Sequence, residues 1–349
     1  MRVNSEFNIP RIEHLAVWAE NLDETAAFLE DALGWKRHPL EFGVDEDDEV
    51  FGGMELAFID ANGLWLELVQ PTTEGPGMDF LREKGNGSLV ELDFLIDDFD
   101  KNIEEMRSRD IELIGMDGNP IVGDGLLREW TRLNGETGRG DERLSYVPFE
   151  MACGTSIELL WEHPVTGVVH RRNAHKSLEW TSAKDGPRLD SVCVLGREIE
   201  KISSVYTDIL RLERLPVSSG IDRDWMSLGG TNHSWINGNS DSIWIELIAP
   251  KSGNLETGSL KTLGEGSIVE LSVETSDIEE FCDKMRAKDI VLTAGDATPL
   301  PKGDKAAVNT VSGDRYAYLP LEKSKGMRIM VFERADGDDS IFNKRDKAA

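Results

Sequence analysis

Alternation of apolar and polar residues is the strongest local signal in the chain. Four stretches alternate with the period of two expected of a half-buried strand: RIEHLAVW (11–18), LVELDFLI (89–96), LDSVCVLG (189–196) and IVELSVET (268–275). Each is followed by helical periodicity. In the first helix, Leu22, Ala26, Phe28, Leu29 and Leu33 supply an apolar face, with Asn21 and Asp23 as capping candidates. The other three helices are predicted over about 98–109, 197–210 and 276–288. Further strands follow, ending in GLWLELVQ (63–70), TSIELLWE (155–162), SIWIELIA (242–249) and MRIMVFER (327–334), with Gly, Asn and Asp clusters between them. The pattern is α+β: four strand–helix–strand–strand–strand units.

The units form a repeat. LWLELVQP (64–71) returns as IWIELIAP (243–250), GSLVEL (87–92) as GSIVEL (266–271), and MRSRDIEL (106–113) as MRAKDIVL (285–292), all offset by 179 positions. Self-similarity on this scale sets the architecture before any local reading. It places a first half over 1–162, a linker over 163–187, a second half over 188–334 and a polar, frayed tail over 335–349.

Composition narrows the partners. A chain of 349 residues with 39% hydrophobic and 30% charged residues is long enough for two cored domains. Three scattered cysteines (Cys153, Cys193, Cys282) and the absence of an apolar leader point to a reducing, cytoplasmic setting. Cys153 reads as a small buried residue rather than a reactive thiol. The net charge of -28 argues against nucleic acid, anionic membrane or polyphosphate as partner. A solvated acidic surface is the plain reading of that charge; attraction of a cationic substrate is the sharper one.

The segments IEHLAVWAENLDETAAFLEDALGW and LVELDFLIDD and the terminal IEL strands resemble the vicinal oxygen chelate superfamily. Its members include glyoxalase I, methylmalonyl-CoA epimerase, extradiol dioxygenases and fosfomycin-resistance proteins. The resemblance covers about 11–162 and 188–334. It implies that paired βαβββ units curl their mixed sheets into a cup holding one divalent metal. It also implies the ligands: His14 from the first strand, Glu67 from the last strand of that unit, Glu91 from the first strand of the second unit and Glu158 from its last strand. Glu91 departs from the usual histidine.

The residues themselves lend support. His14 sits between Ile12 and Ala16 and Glu67 between Trp65 and Val69, Glu91 shares a face with Leu89 and Asp93 and Glu158 one with Ser156 and Leu160, and an ionised carboxylate on an inward face needs a partner. In the second half, Glu246 and Glu270 match Glu67 and Glu91, but His14 aligns with Ser191 and Glu158 with Met330. Methionine serves a hard cation poorly. One competent site, in the first half, and a degenerate second half are therefore expected. A rival pairing would exchange units between halves and combine His14 and Glu67 with Glu270, leaving Met330 in fourth place.

Three carboxylates and one histidine favour Mn, Fe(II), Mg or Co(II); zinc is compatible but more commonly takes additional nitrogen or sulfur ligands. The expected activity is that of a metal-dependent lyase or isomerase, abstracting a proton next to a carbonyl while the metal holds the enolate. Glu158 is the first candidate base and Glu91 the reserve. A ring-cleaving dioxygenase and a non-catalytic binding or resistance protein are the alternatives; Glu91, in place of a second histidine, demotes the former. The expected partner is a small carbonyl-containing molecule, and homodimer formation stays open.

Weaker constellations remain. His163, His170 and His175 crowd the linker without regular ligand spacing, beside Arg171 and Arg172. The glycine-rich segment 115–142, with Arg128 and Trp130, reads equally as a lid or a long hairpin loop. Most of the nine tryptophans read as core, with Trp18 and Trp65 near the cup. There is no Walker A, dinucleotide fingerprint or nucleophile elbow.

Overall fold

Each alternating stretch forms a strand and each periodic stretch a helix. The computed structural model describes residues 9–39, 42–44, 52–115, 118–121, 126–127, 130–131, 137–138, 142–162, 185–221, 230–239, 243–251, 263–295, 298–300, 307–308, 312–338 and 340–348. The first unit runs β1 (Arg11–Trp18), α1 (Leu22–Leu33), β2 (Met54–Asp60) and β3 (Trp65–Pro71). A helix not anticipated from the sequence, α2 (Pro76–Lys84), with proline in its first turn, leads to the second unit. That unit comprises β4 (Leu89–Leu95), α3 (Phe99–Ser108), β5 (Glu142–Tyr146) and β6 (Ser156–Glu162).

The second half repeats the plan. Its third unit has β7 (Arg188–Leu195), α4 (Ile199–Ser204), β8 (Thr231–Asn237) and β9 (Trp244–Pro250). Its fourth has β10 (Ile268–Glu274), α5 (Ile278–Arg286), β11 (Arg315–Tyr318) and β12 (Ile329–Glu333). Short strands such as Phe42–Val44 supply edge pieces. Asn21, Asp98 and Asp277 each cap a helix by accepting from a backbone N–H three residues on, and Gly34, at φ 71°, ends α1. The third helix departs from expectation: after Ser204 it widens into a π-helical turn, Val205–Ile209.

Strand pairing decides which units share a cup. β1 lies between β3, parallel, and β4, antiparallel, and β4 continues in parallel to β6. The second half has the same order, with β7 between β9 and β10 and β10 beside β12. Units therefore pair within halves, and the exchanged pairing weighed above is not formed. The segment Trp130–Thr131 pairs with Thr137–Gly138 and reaches back to Gly43, so part of 115–142 is a hairpin that joins the rim of the first cup. Arg128 and the three linker histidines lie outside the described residues.

The halves meet at a seam that explains one repeated motif. Leu89 of GSLVEL bridges to Ile268 of GSIVEL, making the two sheets continuous. The leading glycine of each motif lies against a turn of the opposite half. A Cβ on Gly87 would lie 2.3 Å from the Met327 backbone nitrogen, and one on Gly266 would lie 2.2 Å from the Thr155 backbone nitrogen. Both glycines have positive φ. Behind the cups, one continuous apolar core draws on both halves, including Leu15, Leu92, Val192 and Leu271. Across it, the Trp35 indole donates to the Pro187 carbonyl at 2.7 Å.

The tail corrects an expectation. Residues 341–348 are not frayed but form α6 (Ile341–Ala348), whose first turn is held by Asp314 accepting from the Ile341 N–H at 2.9 Å. The reason is amphipathy that the polar composition hides: Ile341, Phe342 and Arg345 are all buried. No helix among the described residues is long and apolar enough to cross a membrane.

Candidate metal centre

The inward alternate positions of β1, β3, β4 and β6 bring the four candidates to one cup. Ala16 of β1 has Glu67 on one side and Glu91 on the other, while His14 faces Asp93 and Asp93 faces Glu158. His14 Nε2 is 3.4 Å from Glu67 Oε2 and 3.2 Å from Asp93 Oδ2. Glu91, Asp93 and Glu158 each offer an oxygen lying within 4.8 Å of the other two. The Tyr146 hydroxyl donates to Glu158 Oε2 at 2.5 Å from the neighbouring strand.

Two acidic residues join that were not assigned from sequence. Asp93 shares the inward face with Glu91, so its signal was present in the alternation. Glu13 was hidden, because strict alternation turns it away from His14. A β-bulge between Ile12 and His14 breaks the alternation, and Glu13 Oε2 lies 2.5 Å from His14 Nδ1.

The electrostatics are those of a site short of positive charge. Five carboxylates, from Glu13, Glu67, Glu91, Asp93 and Glu158, gather about one imidazole. Burial pushes the Glu91 carboxyl well up, and Asp93, Glu158 and Glu67 push it further. Asp93 is also raised by burial; His14 opposes the rise, while Glu158 and Glu67 add to it. Burial alone would lower the His14 pKa, but Asp93, Glu13 and Glu67 overcome it and hold the imidazole well above its ordinary range. Glu91 Oε1 is buried without a hydrogen-bond partner, and Asp93 Oδ2, equally buried, makes no hydrogen bond and has only the His14 ion-pair contact at 3.2 Å. An orphaned oxygen among converging carboxylates fits a divalent cation, and the hard donor set fits the oxygen-seeking metals.

Around this polar floor the wall is apolar. Ala16, Trp18, Met54, Leu56, Phe58, Trp65, Val69 and Leu81 form one buried cluster, with α2 contributing Leu81 and partly buried Met78. Phe80 of α2 stacks on Trp18 at 6.3 Å. Trp18 and Trp65 thus line the cup, as their spacing implied.

The second cup is built in the same register with different chemistry. Ser191 takes the place of His14, Ser272 that of Asp93, and Met330 that of Glu158. Glu246 is engaged by His233 Nδ1 at 2.9 Å, and Glu270 lies in the field of Arg328. Arg345 of α6 pairs with Asp190 through two contacts, at 2.6 and 2.8 Å. Among the described residues, the Glu91–Asp93–Glu158 group is the only set of three or more potential ligands this close together.

Residues 13–125 match the family model described as Glyoxalase/Bleomycin resistance protein/Dioxygenase superfamily. A mutant of 4-hydroxymandelate synthase from Streptomyces coelicolor is 13% identical, with 98% of each chain covered and a TM-score of 0.60. A hypothetical protein from Staphylococcus aureus is 9% identical, covering 93% of this chain and 100% of its own, with a TM-score of 0.55. The Mn(II)-bound glyoxalase from Novosphingobium aromaticivorans is 11% identical over 94% of this chain and 83% of its own, with a TM-score of 0.51. At such identities the likeness to these structures is one of fold alone. No curated protein matches the chain in sequence.

Proposed function

We propose that this protein is a metal-dependent lyase or isomerase of the glyoxalase and epimerase kind, with its one metal site in the first cup. The observation that carries the reading is the charge contrast between the cups. The first gathers five carboxylates and one imidazole, with the buried Glu91 Oε1 left without a hydrogen-bond partner. In the second, Arg345 and Arg328 attend Asp190 and Glu270. A dication answers the imbalance of the first cup and has no role in the second.

His14, Glu67, Glu91 and Glu158 would hold the ion, with Asp93 close enough to substitute for one of them. When bound, the ion supplies Lewis-acid polarisation of a substrate carbonyl. The rest falls to the side chains. The apolar wall around Trp18, Phe58 and Trp65 receives the carbon skeleton and excludes water. Glu158, steadied by the Tyr146 hydroxyl, takes a proton from the carbon next to the carbonyl, and the electron pair left on that carbon delocalises toward the carbonyl oxygen. Return of the proton to the opposite face or to a neighbouring carbon completes an isomerisation; loss of a β-substituent completes a lyase reaction.

Surplus carboxylate supports this reading over oxygen activation. On the family resemblance, Glu91 stands at the position where a two-histidine, one-carboxylate iron site has its second imidazole. The test uses the full chain, because the halves share one core. The expected result is about one divalent metal per chain by elemental analysis, lost in His14→Ala and unchanged in Glu246→Gln. Incorporation of solvent deuterium next to the carbonyl of an accepted substrate would identify the chemistry. Oxygen consumption with a catechol, without such exchange, would overturn it in favour of a dioxygenase.

A further inference from the structure

The second cup holds an arrangement that the metal chemistry does not use. Arg345 and Asp190 are both 0% exposed, and the guanidinium meets the carboxylate through Nη1 to Oδ2 at 2.6 Å and Nη2 to Oδ1 at 2.8 Å. That is fork-to-fork recognition, which a planar guanidinium makes and an ammonium cannot. The same group lies over the ring of Trp244 at 4.7 Å and over that of Trp235 at 5.1 Å. These two rings occupy the register positions held by Trp65 and Phe58 in the first cup. Asp346 of α6 itself also accepts from Arg345 Nε at 2.9 Å, and the part supplied by the cup, one carboxylate and two indole faces around a cation, makes up a recognition cage. Its occupant comes from outside the repeat, since α6 follows the last strand of the fourth unit.

We infer that the second cup is a guanidinium-binding site, filled in this chain by its own C-terminal arginine as a tethered ligand. Phe342, stacked on Phe332 at 3.8 Å, seats the tether, and Asp314 caps it. When α6 is released, the site accepts a free guanidinium compound with a short apolar stem, the shape of an arginine side chain. The tether keeps such ligands out by its high local concentration, not by removing the cage. The inference is independent of whether the first cup binds metal.

Arg345→Ala empties the cage while leaving Asp190 a partner, because Arg334 Nη2 reaches Asp190 Oδ1 at 3.1 Å. The probe is n-propylguanidinium, with n-propylammonium at equal ionic strength as control, read by thermal unfolding of the full chain. The expected result is a saturable rise in Tm for the Arg345→Ala protein, reaching half its extent at a concentration at least about tenfold lower than for the wild type or with the ammonium control. The rise should vanish in the Arg345→Ala, Asp190→Asn double variant. A folded Arg345→Ala protein that responds equally to both cations, or to neither, overturns the inference. If Arg345→Ala does not fold alone, refolding yield becomes the readout. Recovery with propylguanidinium but not propylammonium supports the cage, and no recovery overturns it.

Discussion

Asp93 Oδ2 lies 3.2 Å from His14 Nε2, with the two residues facing each other across the antiparallel β1–β4 pair. This contact joins the histidine to the carboxylate cluster, and Asp93 is the leading cause raising the His14 pKa against the effect of burial. Asp93→Asn should therefore lower the His14 pKa in chelator-treated protein, measurable by NMR titration of the imidazole. An unchanged titration would assign the effect to Glu13 and Glu67 instead.

On the proposed reading, Glu158 serves as both ligand and base. Glu158→Gln keeps an oxygen toward the cluster and the Tyr146 hydrogen bond, but cannot accept a proton. It should retain most of the metal and lower turnover about 100-fold or more, the scale of general-base catalysis. Near-normal turnover would remove Glu158 from the role and make Glu91→Gln the next comparison.

The raised carboxyls predict how the metal-free protein responds to pH. Glu91 and Asp93 hold protons in the folded state that the unfolded chain has already lost, and His14 behaves in the same sense. Their contribution to stability is fully present below the unfolded carboxylate pKa, about 4, and is lost as pH rises through the raised folded values. Chelator-treated protein should thus become less stable to denaturant between about pH 5 and pH 8, and added Mn(II) should flatten the decline and release protons. A rise in stability over that window without metal would contradict the electrostatic picture.

Gly87 and Gly85 separate contact from backbone strain at the seam. Both have positive φ, but a Cβ on Gly85 meets nothing within 4 Å, whereas one on Gly87 meets the Met327 nitrogen at 2.3 Å. Gly85→Ala should cost only the backbone strain, about 1 kcal/mol. Gly87→Ala should cost about 2 kcal/mol more, because backbone on both sides must move. Equal midpoints in urea would show that the seam yields freely.

The repeat, the four units and the inward face of the first cup were legible because alternation and helical periodicity are local signals. Asp93 was legible in the same alternation, and only the family pattern of four ligands kept it from being assigned. Glu13 was not, since a bulge shifts the face without marking the sequence. The seam glycines showed as a repeated motif, but their contacts are tertiary and come from the opposite half. The tail was read as frayed from its polar composition, which hides that Arg345 is buried against Asp190, 155 positions away.

The seam also bears on how this chain can vary over generations. Surface turns ordinarily tolerate added or deleted residues. Here, the turn carrying Gly154 abuts Gly266, and the turn carrying Gly326 abuts Asn86 and Gly87, backbone against backbone. A length change in either turn pries apart the opposite half's leading strand, the strand that carries Glu91 in one case and Glu270 in the other. The two copies of the repeat therefore constrain each other's length at these turns, even though their cups differ chemically.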